Sequence, residues 1–249
     1  MNAEELLRRY AAGERVFRTV DLAGINMSRT NLRDIDLTGA SLKGANSIGI
    51  TLYRANLYQA DISQADLSQA NLMSANFGEC EAIGANLSGA ILRSAVLGGA
   101  DFTGASLRGA DIRDANLQRA ILIQVYAVKA NLQGANLTEV KLCGINLTRA
   151  NLTDANLTQA DLSHANLTQA NLSWANLTEA NLEKADLKGA DLSGVNLSCA
   201  NLHLADLSGV SLKGANLRGA NLHQANLRGT NLKEANLREA MMPDGKICE

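Results

Sequence analysis

The sequence is short of the residues from which ordinary globular cores are built. Aromatic residues make up 3% of the 249 residues, and proline occurs once, at Pro243. No run of 18 apolar residues is present, which excludes a transmembrane helix. The amino terminus has neither the basic start nor the apolar core of a secretion signal. We therefore expect a single elongated domain in the cytoplasm, with no membrane association, rather than a conventional globular enzyme.

Cysteines are few and show no metal-ligand spacing. The four are Cys80, Cys143, Cys199 and Cys248. We expect them to be reduced thiols, in keeping with a cytoplasmic protein, and we read Cys80 as a substitute for a small inward alanine.

A repeat of five residues runs through most of the chain. Every fifth residue from Phe17 to Met242 is large and apolar over 46 consecutive positions, except at Ser47, Ala82 and Ala127. A period of five matches neither the 3.6-residue period of a helix nor the two-residue period of a strand. The chain is therefore one small shape repeated many times.

Each repeat has a fixed internal chemistry around its large central residue. The residue two before the centre is small, as at Ala150 and Ala155, and the residue just before it is Asn or Asp in 34 of the 46 repeats. The two residues after the centre are mostly polar or glycine. Because Asn and Asp bond nearby backbone in turns, this pattern predicts a narrow interior and a corner in every repeat.

The sequence Ala150-Asn151-Leu152-Thr153-Asp154 illustrates the pattern A-(D/N)-L-x-x. Residues 15 to 242 resemble the pentapeptide-repeat family through this pattern. The resemblance implies an all-β fold, a right-handed quadrilateral parallel β-helix with four repeats per coil, so that residues 20 apart stack. With strands about 4.8 Å apart, the 46 repeats would form about 11.5 coils and a rod about 55 Å long. We divide the chain into a capping helix at 1–14, a β-helix of about 11 coils at 15–243, and a tail at 244–249.

The first residues predict a short helix over residues 2 to 12. Asn2 and Glu5 have the spacing of a capping box, and Gly13 is a plausible stop. The helix would cover the open edge of the first coil, although an amphipathic helix of this kind could instead lie on a membrane surface. Its apolar residues are Leu6, Leu7 and Tyr10.

The opposite end carries no comparable lid in the sequence. Met241 and Met242 lie over the last coil and are followed by a polar tail. This suggests end-to-end association of two copies through the carboxyl-terminal coil.

Catalytic residues are not evident. Glu183, His203 and His223 would share a column and could hold zinc, but these outward positions also accept any polar residue. No hydroxyl and carboxylate converge on a histidine, and a convex rod offers no deep pocket. We expect no catalytic, cofactor or metal site and no enzyme.

Charge argues against mimicry of DNA over the whole rod. Some pentapeptide-repeat proteins resemble B-form DNA and bind DNA gyrase in its place. Duplex DNA would carry about 32 negative charges over 55 Å, whereas this chain has a net charge of −2. The late basic residues have no aromatic neighbour in their own coils for base stacking, so direct nucleic-acid binding is not expected.

A local acidic face remains, formed by Asp21, Asp61, Glu81 and Asp101. The late basic residues are Lys213, Arg218, Arg228, Lys233 and Arg238.

Apolar residues at outward positions mark the middle of the chain. At Ser47, Ala82 and Ala127 the centre shrinks while the next residue is Ile48, Ile83 or Val128. Either a local bulge exchanges these neighbours or the larger residue is exposed. Exposed apolar clusters commonly form interfaces, so we expect a protein partner or a second copy to bind here. The candidate partner residues are Ile83, Ile91, Val96, Ile121, Ile123, Tyr126 and Val128.

These features favour a non-enzymatic scaffold or protein-interaction module whose partner the sequence does not identify. The alternative is a regulator or protector of a DNA topoisomerase such as gyrase, acting by partial mimicry of DNA at the acidic face.

Overall fold

The computed structural model describes residues 1–249 and forms one continuous coil. Single-residue parallel β-bridges join the residue before each centre, every fifth residue of the chain, to the residue 20 positions later, from Val16 with Asp36 to Asn221 with Met241. The fold is a right-handed quadrilateral parallel β-helix with four repeats per coil. We number its faces by their first bridging residue, and each face recurs every 20 residues. Face 1 starts at Val16, face 2 at Asp21, face 3 at Asn26 and face 4 at Asn31.

A tight turn separates each face from the next. In the turn after Leu37, the N–H of Ala40 donates to the Leu37 carbonyl at 2.9 Å, and Gly39 between them has a φ of 63°. Every fifth residue from Thr19 to Glu239 has a positive φ of this kind. A positive φ at the third turn position alone defines a type II turn. One such turn per repeat produces the square cross-section.

The interior is a ladder of leucine and alanine. The centres Leu152, Leu172 and Leu192 are buried at successive levels of face 4, and Asn151 bridges Asn171 at the preceding position. The 20-residue stacking implied by the sequence is confirmed. Since each coil buries its apolar residues against its neighbours, stability is spread along the rod.

No bulge occurs at the three repeats with small centres. Ser47, Ala82 and Ala127 are each at most 1% exposed and remain inside. The bridges around them keep the 20-residue spacing. The bulge alternative is therefore wrong, because no residue is inserted that would turn Ile83 or Val128 inward.

Helix α1 (Ala3–Ala11) precedes the first coil and is the only helix. Asn2 caps it by accepting the N–H of Glu5 at 2.8 Å. Only this half of the capping box forms, because the Glu5 carboxylate lies 3.7 Å from Arg9 instead. Leu6 is fully buried against the core, and the hydroxyl of Tyr10 donates to the Arg33 carbonyl at 2.9 Å. At nine residues, α1 is too short to cross a bilayer, and the structure has no other helix that could.

The carboxyl-terminal residues do form a cover, contrary to the sequence analysis. The chain reverses after Met242 and Ile247 pairs antiparallel with Met241. The N–H of Cys248 donates to the Ala240 carbonyl at 2.9 Å. The last coil otherwise has no partner along this edge, so the returning chain satisfies backbone groups that would be unpaired. Leu227, Leu232 and Leu237 nevertheless remain partly exposed at this end.

Candidate interaction surfaces

Four of the candidate apolar residues lie together around one corner of the rod. Ile121 and Ile123 lie on face 2, and Tyr126 and Val128 follow on face 3. The Tyr126 side chain is 55% exposed, and the other three are half-buried. We call these four residues the middle patch. Ile83 belongs to the same column as Ile123 but lies two coils earlier, so it is an outlying member at most.

Ile91 and Val96 lie on the opposite side of the rod. Ile91 belongs to face 4, where it bridges Asp111, and Val96 belongs to face 1, where it bridges Asn116. Each is 30 residues, or one and a half coils, before Ile121 or Tyr126, and half a coil places a residue on the opposite face. The seven candidate residues therefore do not form one surface. We call Ile91 and Val96 the opposite pair.

The four candidate acidic residues do form one column on face 2. Bridges join Asp21 to Ser41, Ser41 to Asp61, Asp61 to Glu81, and Glu81 to Asp101. None of these four carboxylates has an ion-pair partner within the chain; the ion pairs of the early coils lie elsewhere, at Asp34, Asp36 and Asp111. Asp101 in turn bridges Ile121. The acidic column therefore leads directly into the middle patch along one face.

Hydrogen bonds orient the aspartates of this column. The Asp61 carboxylate accepts the N–H of Ser63 at 2.8 Å, and the Asp101 carboxylate accepts the N–H of Thr103 at 2.8 Å. One oxygen of each carboxylate is thereby held toward the backbone, as in an Asx turn. The other oxygen is left for a partner outside the chain.

The histidine column has the geometry of a stack rather than of a metal centre. The rings of His203 and His223 lie 5.5 Å apart at an interplanar angle of 10°, and Nδ1 of His203 contacts the His223 carbonyl at 2.9 Å. Glu183 pairs instead with Lys184 at 3.1 Å, a hydrogen bond that lowers the pKa of the Glu183 carboxyl. No group of three His, Cys, Asp or Glu side chains is placed to hold a metal ion.

Three of the five late basic residues have acidic neighbours. Arg218 and Arg238 both contact Glu239, at 3.2 and 3.4 Å, and Lys233 contacts Glu234 at 3.6 Å. Lys213 is a basic residue of this region without an ion pair, as is Arg228. The five basic side chains thus have two carboxylate partners, Glu234 and Glu239, and an excess of positive charge remains at this end.

One exposed aromatic residue was given no role by the sequence analysis. Trp174 is 69% exposed at the corner between faces 4 and 1. It is the single tryptophan of the chain, at a position where the other repeats carry polar residues or glycine apart from Cys199 and Leu204. That exchange is the sequence signal that could have identified it.

Comparison with known proteins agrees with this architecture. The family model described as pentapeptide repeats (8 copies) matches residues 17–46, 52–89, 70–109, 83–119, 130–169, 170–209 and 205–242. The chain belongs to the pentapeptide-repeat family. A search of curated protein sequences finds no match.

The chain is similar to several solved structures. HetL, a pentapeptide repeat protein involved in heterocyst differentiation regulation from the cyanobacterium Nostoc sp. Strain PCC 7120, is 36% identical over 100% of both chains, with a TM-score of 0.53. A pentapeptide repeat protein from the Arabidopsis thaliana thylakoid lumen is 30% identical over 42% of this chain and 70% of its own, with a TM-score of 0.33. QnrB1, a plasmid-mediated fluoroquinolone resistance protein, is 20% identical over 88% of this chain and 90% of its own, with a TM-score of 0.29.

Proposed function

We propose that this protein is a non-enzymatic interaction module with a regulatory role, and that its protein partner binds the middle patch. The observation that carries the proposal is the exposure of Tyr126 beside Ile121, Ile123 and Val128, a cluster of four on a rod whose outward positions are mostly polar. Large aromatic side chains surrounded by half-buried apolar groups are typical anchors of protein interfaces. The full-length similarity to HetL, a protein involved in the regulation of differentiation, supports a regulatory role.

A matched pair of variants tests this surface. Purified protein is used to capture partners from a lysate of the native cell, with identification by mass spectrometry and a binding assay on the recovered partner. Ile121→Ser combined with Ile123→Ser should weaken binding to that partner at least tenfold. The control combines Ile91→Ser with Val96→Ser at the opposite pair and should bind as the parent does. Equal binding by all three proteins would refute the middle patch as the interface.

A second candidate function is regulation of a DNA topoisomerase, and the acidic column is the observation that favours it. Its four carboxylates lack ion pairs and would meet a cationic partner surface without first breaking an internal contact. In a gyrase supercoiling assay, the parent should inhibit or protect the enzyme in a dose-dependent manner. Neutralising Asp61, Glu81 and Asp101 as amides should abolish that effect, whereas Asp154→Asn on another face should not. An inert parent protein removes this candidate.

Two further parts of the proposal concern assembly and location. We infer an end-to-end homodimer through the last coil, because Leu227, Leu232 and Leu237 remain partly exposed there. Sedimentation equilibrium should show a dimer that Leu232→Glu dissociates, and a monomeric parent would contradict the inference. A cytoplasmic location is supported by the four free thiols, which suit a reducing compartment.

A further inference from the structure

The indole of Trp174 rests on the backbone of the following coil. A side-chain carbon added to Gly194 would lie 2.6 Å from both Cε3 and Cζ3 of Trp174. Non-bonded carbon atoms do not approach each other this closely. The ring can therefore lie in this place only because residue 194 is glycine. One face of the indole is therefore held against the rod while the rest of the ring is open to solvent, with 69% of the residue exposed.

A shallow trough continues from the indole along the corner toward the carboxyl end. Gly194 and Gly214 form its floor, and nothing lies within 4 Å of where a side chain of Gly214 would begin. The depression has a volume of about 380 Å³, which is in the range of small-molecule sites. Its lining residues are Trp174, Ser193, Gly194, Lys213, Gly214 and Glu234.

The charges in the trough leave one cation unmatched. The carboxylate of Glu234 lies 3.6 Å from the ammonium of Lys233, so the negative charge of Glu234 is matched by Lys233. Lys213 has no ion pair, although it lies in the same trough as the indole. Of the nearby acids, Asp191 accepts the N–H of Ser193 at 2.9 Å, and Asp154 lies one coil before Trp174, away from the trough.

We propose that this trough binds a nucleoside phosphate, with the base stacked on Trp174 and the phosphate on Lys213. A planar base matches the open face of a fixed indole, and base–aromatic stacking tolerates any base. A lysine ammonium is a compact charge that suits a phosphate group. The Glu234 carboxylate lies in the same trough as an acceptor for a ribose hydroxyl, whereas the Ser193 hydroxyl already bonds the Ser211 hydroxyl at 2.8 Å. The corner lies between faces 4 and 1, away from the middle patch, so this site is independent of the proposed protein interface.

Titration with AMP tests the proposal directly, because the fluorescence of the parent comes from a single tryptophan. AMP should quench Trp174 saturably, and adenosine should bind about tenfold more weakly, since it lacks the phosphate. Lys213→Gln should reduce the affinity for AMP to that for adenosine. Lys43→Gln, which removes another lysine without an ion pair on face 2, should leave AMP binding unchanged.

Displacing the ring provides a second test that keeps both binding groups in the chain. Gly194→Asn tolerates the positive φ of 67° but pushes the indole from the floor, and AMP binding by calorimetry should fall about tenfold. Gly104→Asn is the matched control, because nothing lies within 4 Å of a side chain there. Absence of AMP binding, equal affinities for AMP and adenosine, or an unaffected Gly194→Asn variant would each overturn the assignment. Binding of a polyglutamate peptide without binding of AMP would also overturn it, in favour of an acidic protein partner.

Discussion

The side-chain amide of Asn76 donates to Oδ1 of Asn56 across 3.0 Å, one coil apart on face 1. The same Oδ1 accepts the N–H of Tyr58 at 3.2 Å, and Nδ2 of Asn56 donates to the Thr38 hydroxyl at 2.9 Å. One asparagine thereby fixes the turn of its own repeat and joins the coils before and after it. The turn and the stacking of coils depend on the same side chain.

Replacing this asparagine should therefore destabilise the rod more than replacing another at the same repeat position. Asn56→Ala should lower the free energy of unfolding by about 1–3 kcal/mol, because the Tyr58 N–H and two side-chain partners lose their bonds. Asn46→Ala is the control, since Asn46 is exposed and its side chain makes one long bond of 3.4 Å to the Ile48 N–H. Urea denaturation measures both, and equal effects would show that the ladder contributes little.

Removing the Ser47 hydroxyl should stabilise the protein. Ser47 is 0% exposed, and its Oγ has no hydrogen-bond partner. A buried hydroxyl without a partner costs about 1–3 kcal/mol, so Ser47→Ala should raise the free energy of unfolding by about 1 kcal/mol. Ser88→Ala, which removes a hydroxyl bonded to Ser106 at 2.8 Å, should have no stabilising effect. A lower melting temperature for Ser47→Ala would contradict this account.

A small closed cavity beside Ala127 should accept extra methyl groups. Ala127→Val should raise the free energy of unfolding by about 1 kcal/mol, since each buried methylene contributes about 0.8 kcal/mol. No cavity lies beside Ala82, and Phe102 occupies the same position one coil later, so Ala82→Val should be destabilising by overpacking. Thermal denaturation of both variants provides the measurement. A loss of stability in both would show that the cavity is too small to hold the valine methyl groups. The cavity is lined by Leu107, Leu122, Ala127, Leu132, Leu137, Leu142, Ile145, Leu147 and Leu152.

Disrupting the contact of α1 with the core should expose the first coil. Leu6→Asp places a carboxylate at a site that is 0% exposed, where it has no partner. The helix should detach, and the open strand edge should then promote association between rods. Light scattering during heating should rise earlier than in the parent, while Glu4→Ala on the exposed side of α1 should behave as the parent does. If Leu6→Asp stays monodisperse, α1 does not protect the edge.

The thiols should differ in reactivity according to burial. Burial raises the pKa of the Cys80 thiol far above its usual value, so that less thiolate is present at any given pH. Cys199 is exposed. Iodoacetamide at pH 8 should therefore label the exposed Cys199 readily, while the buried Cys80 stays unlabelled. Mass spectrometry after brief labelling provides the measurement, and urea should abolish the difference. Labelling of folded Cys80 would mean that the coil opens locally.

The period of five was enough to predict the turns, the inward residues and the buried core. It succeeded because each repeat is a local unit, in which a consecutive alanine, asparagine and leucine and the two turn residues after them define one corner. The cap at Asn2 was predicted for the same reason, since its hydrogen bond to Glu5 spans three residues.

Features that depend on more distant residues were decided by the tertiary structure. Ile91 and Ile121 have the same local pattern, yet one and a half coils between them place them on opposite faces. The polar residues after Pro243 fold back because the last coil leaves backbone groups unpaired, which is a property of that edge and not of the tail. Trp174 has a fixed ring because Gly194, 20 residues later, lies beneath it. Local hydrogen bonds form the corners, whereas bridges between coils determine which side chains meet on the surface.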